Sequence, residues 1–299
     1  MKTIRETFTH FLAQKKAENL SQKTLDNYLY SLQVFLTDNG LDDLEGIDYF
    51  TPLHIAQWVQ YQQKETSRNN ISINHFLRDI RVYINFLVTF YNLPRCPVKL
   101  LKVAQPVIPR YSQKALETLL EAPRATDIYP VWRTWLIINI MLATGARIGS
   151  VCRLKKEDIT DTTITFTHTK SGKEHILPLS PTLKLNLIRF NNQWETDSEY
   201  LLISAKNGDE LTPTGAYQSL QDYCKARGVE CLGWHCFRHT FAYNCYKEGI
   251  DIVTLQHYLQ HSSIELTRHY IGLLGANDLP QVKVPLDCLC KGKKHIRKK

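Results

Sequence analysis

The sequence predicts a mainly α-helical chain of two domains, with one small β-hairpin in the second. Three observations carry that expectation. Apolar residues recur at helical spacing from Ile4 to about Tyr91, with no convincing alternating run between them. Four prolines then interrupt the residues from Asn92 to Arg110, removing backbone donors and biasing their neighbours away from helix. Further on, Thr162 to Thr169 alternate, and a turn containing Ser171-Gly172 leads into a second run from His175 to Leu179.

Residues 1–92 read as an all-α domain of four helices. The second begins at Ser21, a good N-cap, and carries Leu25, Tyr28, Leu29, Leu32, Phe35 and Leu36 as a core stripe. Thr51-Pro52 opens the third, with Ile55, Trp58 and Val59 inward, and Asn74 to Tyr91 form the fourth. Residues 93–110 read as a Pro-rich linker or as an extended segment packed on either domain. The second domain, 111–275, starts with a helix capped by Ser112, and Val131 to Ala143 is apolar on nearly every side, as a buried central helix is. In the hairpin, Ile164, Phe166 and His168 share one face. Thr212-Pro213 opens another helix, and helices punctuated by Gly228, Gly233 and Gly249 fill the rest. Residues 276–299 form a basic tail.

A chain of 299 residues with 43% hydrophobic content can bury two modest cores. Its longest apolar stretch, Trp135 to Ala143, is broken by Asn139 and falls far short of the ~18 residues that cross a membrane. Arg5, Glu6, Lys15 and Lys16 deny the N-terminus the apolar core of a secretory signal, so the expectation is an intracellular protein, nucleoid-associated if the host is prokaryotic. Eight irregularly spaced cysteines without an export signal point to reduced thiols. Cys288 and Cys290 near His295 lack the fourth ligand of a zinc site, and no metal is expected. The net charge is +8, but six of those charges are the tail's lysines and arginines from Lys291 to Lys299. Binding to a polyanion therefore has to be argued from motifs.

Three segments hold the chemistry. At Thr144-Gly145-Ala146-Arg147 a buried helix ends in a glycine turn, and a guanidinium stands at the start of the next helix, where its planar fork suits phosphate oxygens. His235, Arg238 and His239 fall at i, i+3 and i+4 on one helical face; the glutamate of a zinc-protease helix is missing between the histidines. In His261-Ser262-Ser263-Ile264-Glu265, Ser262 and Glu265 have capping-box spacing, which fixes Tyr270 about two turns into the helix relative to His261. Singly, Arg147 reads as a surface or salt-bridge residue, and Tyr270 is one of fifteen tyrosines.

Together, TGARIG, TKSGKEHILPL, HCFRHTFA and LQHSSIELTRHY resemble the motifs of the tyrosine recombinase (phage integrase) family in order and approximate spacing. The likeness spans the whole second domain, and the Ser-x-x-Thr-x-x-x-Tyr stretch from Ser21 to Tyr28 extends it more loosely to the family's helical core-DNA-binding domain. The resemblance implies a two-domain DNA clamp. Residue by residue it implies catalytic roles for Arg147, Lys170, His235, Arg238, His261 and the nucleophile Tyr270. Ser150 stands where many members carry an acidic residue, and Gln260 where glycine is usual.

The implied activity is site-specific recombination of double-stranded DNA through a 3′-phosphotyrosyl bond, with no ATP, metal or other cofactor. A homo-tetramer on paired recombination sites is implied, with accessory DNA-bending or partner recombinase proteins left open and no membrane partner. Arg147 and Arg238 would neutralise the non-bridging oxygens, His261 would donate a further hydrogen bond, and His235 would accept the phenol proton. Lys170 or Lys173 would protonate the departing 5′-oxygen. The alternatives are a type IB topoisomerase-like activity and a non-catalytic DNA-binding regulator of the same fold.

Overall fold

The computed structural model describes residues 2–103, 108–168 and 172–273. The chain divides into two compact units, 1–105 and 106–299. It is mainly helical, and its one named sheet among the described residues has two strands.

The first unit packs α1 (Ile4–Ala17), α2 (Gln22–Asp38), α3 (Pro52–Glu65) and α4 (Asn70–Tyr91) around an aromatic core that includes Phe11, Phe35, Trp58 and Tyr83. Ser21 and Thr51 cap α2 and α3 as their positions predict, each accepting from a backbone amide three residues on. The α2 stripe is buried at Leu25, Leu32, Phe35 and Leu36, while Leu29 at its rim stays 40% exposed. α4 begins a turn earlier than its apolar spacing suggests, because Asn69 accepts from Ser72 N at 2.9 Å and so caps a polar first turn. Asp38 ties α2 to α3 by accepting from Trp58 Nε1 (3.2 Å), Gln62 Nε2 (2.7 Å) and Arg68 Nη1 (3.1 Å). The start of the Pro-rich stretch belongs to this core: Leu93, Cys96 and Val98 are buried in it. Asn74 pins Leu101 through both amide atoms, at 2.9 and 2.7 Å.

The second unit is built around α6 (Tyr129–Thr144), which is covered on nearly every side and buries Trp135, Leu136, Ile137, Ile138, Ile140 and Met141. Packed on it are α5 (Gln113–Leu120), α7 (Ile148–Cys152), α8 (Pro181–Gln193), α9 (Pro213–Ala226) and α10 (Trp234–Lys247). The hairpin pairs β1 (Thr163–Phe166) with β2 (His175–Pro178) antiparallel, Ile164 opposite Leu177. Ile164 and Phe166 face the core, but β1 ends at Phe166 and His168 is exposed, so the alternation stops one residue pair short of the expected face. α11 (Ile252–Leu259) and α12 (Ile264–Leu273) complete the unit. They bury Leu255, Leu259 and Ile271 in a satellite core with Phe241, and Ile108 N donates to Leu273 O at 3.1 Å, anchoring the far end of α12. No described helix is long and apolar enough to cross a membrane.

Candidate active site

Arg147 owes its position to the way α6 stops. Gly145 takes up a left-handed conformation (φ +66°), and the chain turns so that Arg147 becomes the residue preceding α7. Only glycine fits: a β-carbon there would lie 2.4 Å from Phe241 Cδ1 on α10. The turn also aims the Gly145 carbonyl at α10, where it accepts from Arg238 Nη1 at 2.7 Å.

Arg238 is 4% exposed and has no carboxylate partner among the described residues. Its guanidinium is spread instead over Gly145 O, Leu259 O (2.5 Å from Nη2) and, at 3.4 Å, His261 Nε2. The Gly145 turn and the end of α11 thereby converge on one cation. His235 and His239 flank it one helical turn apart, with ring centroids 5.9 Å from each other; His235 is exposed and His239 half-buried.

α11 ends at Gln260, also left-handed (φ +48°), which throws His261 back toward Arg238. Arg238 can only donate, so its contact makes His261 Nε2 an acceptor and places the ring proton on Nδ1, which donates to Thr267 Oγ1 at 3.0 Å. The cap of α12 is shifted by one residue from the predicted box: Ser263 Oγ, not that of Ser262, accepts from Leu266 N at 3.3 Å. With Thr267 and Ile271 buried beneath it, α12 presents Tyr270 to the cluster. The phenol is hydrogen-bonded to His239 Nδ1 and feels the charge of Arg238, and its ring stands edge-on to His261 at 5.3 Å. A groove of about 660 Å³, lined by Lys173, His175, His257, Gln260 and His261 among others, opens beside it.

Arg147, His235, Arg238, His239, His261 and Tyr270 are all shifted from their ordinary values. Burial, then the neighbouring Arg147, pulls Arg238 down to about 10, which leaves it protonated at neutral pH. Burial, reinforced by the cations, lowers His239 and His261 to about 4, and partial desolvation beside Arg238 and Arg147 draws the exposed-edged His235 ring below its ordinary value. Burial pushes the Tyr270 phenol up to about 12, against the opposing pull of Arg238 and Arg147. A pocket that holds two guanidiniums and neutral histidines is prepared for an anion. Among the described residues no group of three His, Cys, Asp or Glu side chains is placed to hold a metal.

Five of the six residues predicted from sequence meet here: Arg147, His235, Arg238, His261 and Tyr270. Lys170, the basic tail and Cys288, Cys290 and His295 lie outside the described residues. His239 was visible in the sequence as a donor on the same helical face but carried no assigned role; only the fold reveals that it reaches Tyr270.

The sequence model of the phage integrase family matches residues 110–275, more than half of the chain. The chain belongs to the phage integrase family. The matched residues run from the start of the second unit through α12 and contain all four motifs. The chain is 25% identical over 276 residues to the tyrosine recombinase XerA of Pyrococcus furiosus, covering 90% of each protein. It is 27% identical over 271 residues to XerA of Thermococcus kodakarensis, covering 89% of this chain and 90% of that protein. In fold it is similar to a lambda integrase tetramer bound to a Holliday junction, with a TM-score of 0.72 at 17% identity over all of this chain and 80% of that one.

Two departures from the phage integrase pattern now have structural content. Ser150 Oγ donates to the His168 carbonyl at 2.8 Å, joining α7 to the segment that follows β1. Gln260 occupies a backbone conformation that favours glycine, which is the family's usual residue there.

Proposed function

We propose that the chain is a site-specific DNA recombinase that cuts and rejoins strands through a 3′-phosphotyrosyl bond at Tyr270. The observation that carries this reading is the placement of the Tyr270 phenol, by its own chain, against Arg238 and within the field of Arg147. A tyrosine presented by the same protomer needs no exchange of helices to attack the phosphate that the two arginines hold.

A scissile phosphate entering the pocket takes up the forks of Arg147 and Arg238, and both neutralise its non-bridging oxygens as charge develops. The Tyr270 oxygen attacks phosphorus, and the P–O5′ bond breaks with a proton delivered to the leaving oxygen by Lys170 or Lys173. The phosphodiester is conserved as a protein ester, so rejoining requires no ATP. In the free protein His261 accepts from Arg238, so its hydrogen bond to phosphate requires a second ring proton, which the phosphate's negative charge favours. His235, exposed at the pocket mouth, is placed to meet the DNA backbone. The names of the similar proteins, tyrosine recombinases and an integrase tetramer on a Holliday junction, support double-stranded DNA as partner and a tetramer on paired sites.

The test is a supercoiled plasmid carrying two copies of the sequences that flank the chain's gene. Exchanged circles that disappear with Tyr270→Phe are expected. Relaxation without exchange would favour topoisomerase-like activity instead, and binding with neither would favour a regulator.

A further inference from the structure

Attack by Tyr270 requires its phenol to lose a proton, and a phenol pushed up to about 12 does not do so unaided at neutral pH. The acceptor has to touch the phenol oxygen. That oxygen has one proton and two lone pairs. Arg238, which can only donate, acts on it as a neighbouring cation. The phenol oxygen is hydrogen-bonded to His239 Nδ1, and in the tautomer that carries the ring proton on Nε2, Nδ1 accepts the phenol's proton. His235 is one helical turn away and exposed, and its ring contact is with His239.

We propose that His239, rather than His235, accepts the Tyr270 proton during strand cleavage and returns it during rejoining. The proposal rests on the reading of Tyr270 as nucleophile. In cleavage the Tyr270 O–H bond breaks as N–H forms at His239 Nδ1; the Oη–P bond forms, P–O5′ breaks, and the 5′-oxygen takes its proton from the general acid. Rejoining reverses each step, and the departing phenolate recovers its proton from His239.

The groups bearing on His239 are His235 and Arg238 from its own helix and Tyr270 from α12, with Arg147 and His261 acting on the same pocket. None is a carboxylate. Burial beside these cations keeps His239 neutral, near 4, so its acceptor nitrogen is available throughout the neutral range. A bound phosphate opposes that repulsion and raises the proton affinity of His239 at the moment it is needed. The same anion thus both positions the electrophile and strengthens the base.

The experiment measures single-turnover formation of the covalent adduct on nicked duplexes bearing the gene's flanking sequences, from pH 5 to 10, with full-length wild type, His239→Asn, His239→Gly, His235→Asn, His235→Gly and Tyr270→Phe. Each variant's melting transition and DNA affinity are recorded alongside. His239→Asn is expected to slow the adduct by about 100-fold or more near pH 7, with the loss shrinking as hydroxide replaces the base at high pH. Added imidazole is expected to restore His239→Gly, a response that a merely structural role would not give. A folded, DNA-binding His239→Asn that keeps the wild-type rate and pH profile, or imidazole rescue at position 235 and not 239, would overturn the proposal. Absence of adduct with wild type, or its persistence in Tyr270→Phe, would instead remove the reading of Tyr270 itself and this proposal with it.

Discussion

The ring of Phe241 occupies the space that a side chain on Gly145 would need: a β-carbon there would lie 2.4 Å from Phe241 Cδ1. Because Gly145 also gives its carbonyl to Arg238, one glycine sets both the packing of α10 on α6 and the orientation of the buried guanidinium. Gly145→Ala combines a left-handed backbone with a steric clash, and each costs about 1–3 kcal/mol. A lower urea midpoint with an unchanged m-value is expected, together with slower cleavage because Arg238 is displaced.

Arg238→Lys preserves the charge but not the planar fork that bridges Gly145 O and Leu259 O. One of those carbonyls loses its partner, and the second non-bridging phosphate oxygen loses its donor. Cleavage is expected to fall by about 100-fold or more. Most of that loss should lie in the rate of adduct formation at saturating DNA, read by single-turnover kinetics, with affinity for the uncut duplex nearly unchanged.

Gln260→Gly removes the cost of a left-handed non-glycine residue, partly offset by the greater freedom of glycine in the unfolded chain. The net expectation is a stabilisation of up to about 1 kcal/mol, seen as a higher melting temperature. Cleavage should be retained, since His261 keeps its bonds to Arg238 and Thr267.

Ser150→Ala breaks the link from α7 to His168 O, costing about 1 kcal/mol. Ser150→Asp restores the family's acidic residue but sets a carboxylate against that carbonyl oxygen. Both variants should slow cleavage, and the aspartate is expected to be the less stable of the two in thermal melts.

His239 and His261 sit at about 4 in the folded protein and at about 6.5 in an unfolded chain. Between those values the unfolded chain binds more protons, so stability is complete above about pH 6.5 and is lost as the pH falls toward 4. Melting temperatures measured across that interval should decline, and His261→Asn should flatten the decline.

The helices that bury one face were legible because their apolar spacing and their Ser or Thr caps agree, as at Ser21, Thr51, Ser112 and Thr212. Cap positions failed where two candidates adjoin: Ser263 rather than Ser262 caps α12, and Asn69 starts α4 inside a polar run. Five of the predicted site residues do meet, because motif order specifies which segments converge. The phenol's partner was hidden for a physical reason. His235 and His239 are equivalent in spacing on their helix, and only the packing of α12, which buries Thr267 and Ile271, brings Tyr270 to His239.

The most direct measurement incubates wild-type and Tyr270→Phe protein with nicked suicide duplexes drawn from the gene's genomic flanks, in EDTA, and resolves the products on a denaturing gel with peptide mapping of any adduct. The account predicts a 3′-linked adduct on Tyr270 with wild type alone. DNA bound without an adduct across such substrates, or an equal adduct from Tyr270→Phe, would contradict it.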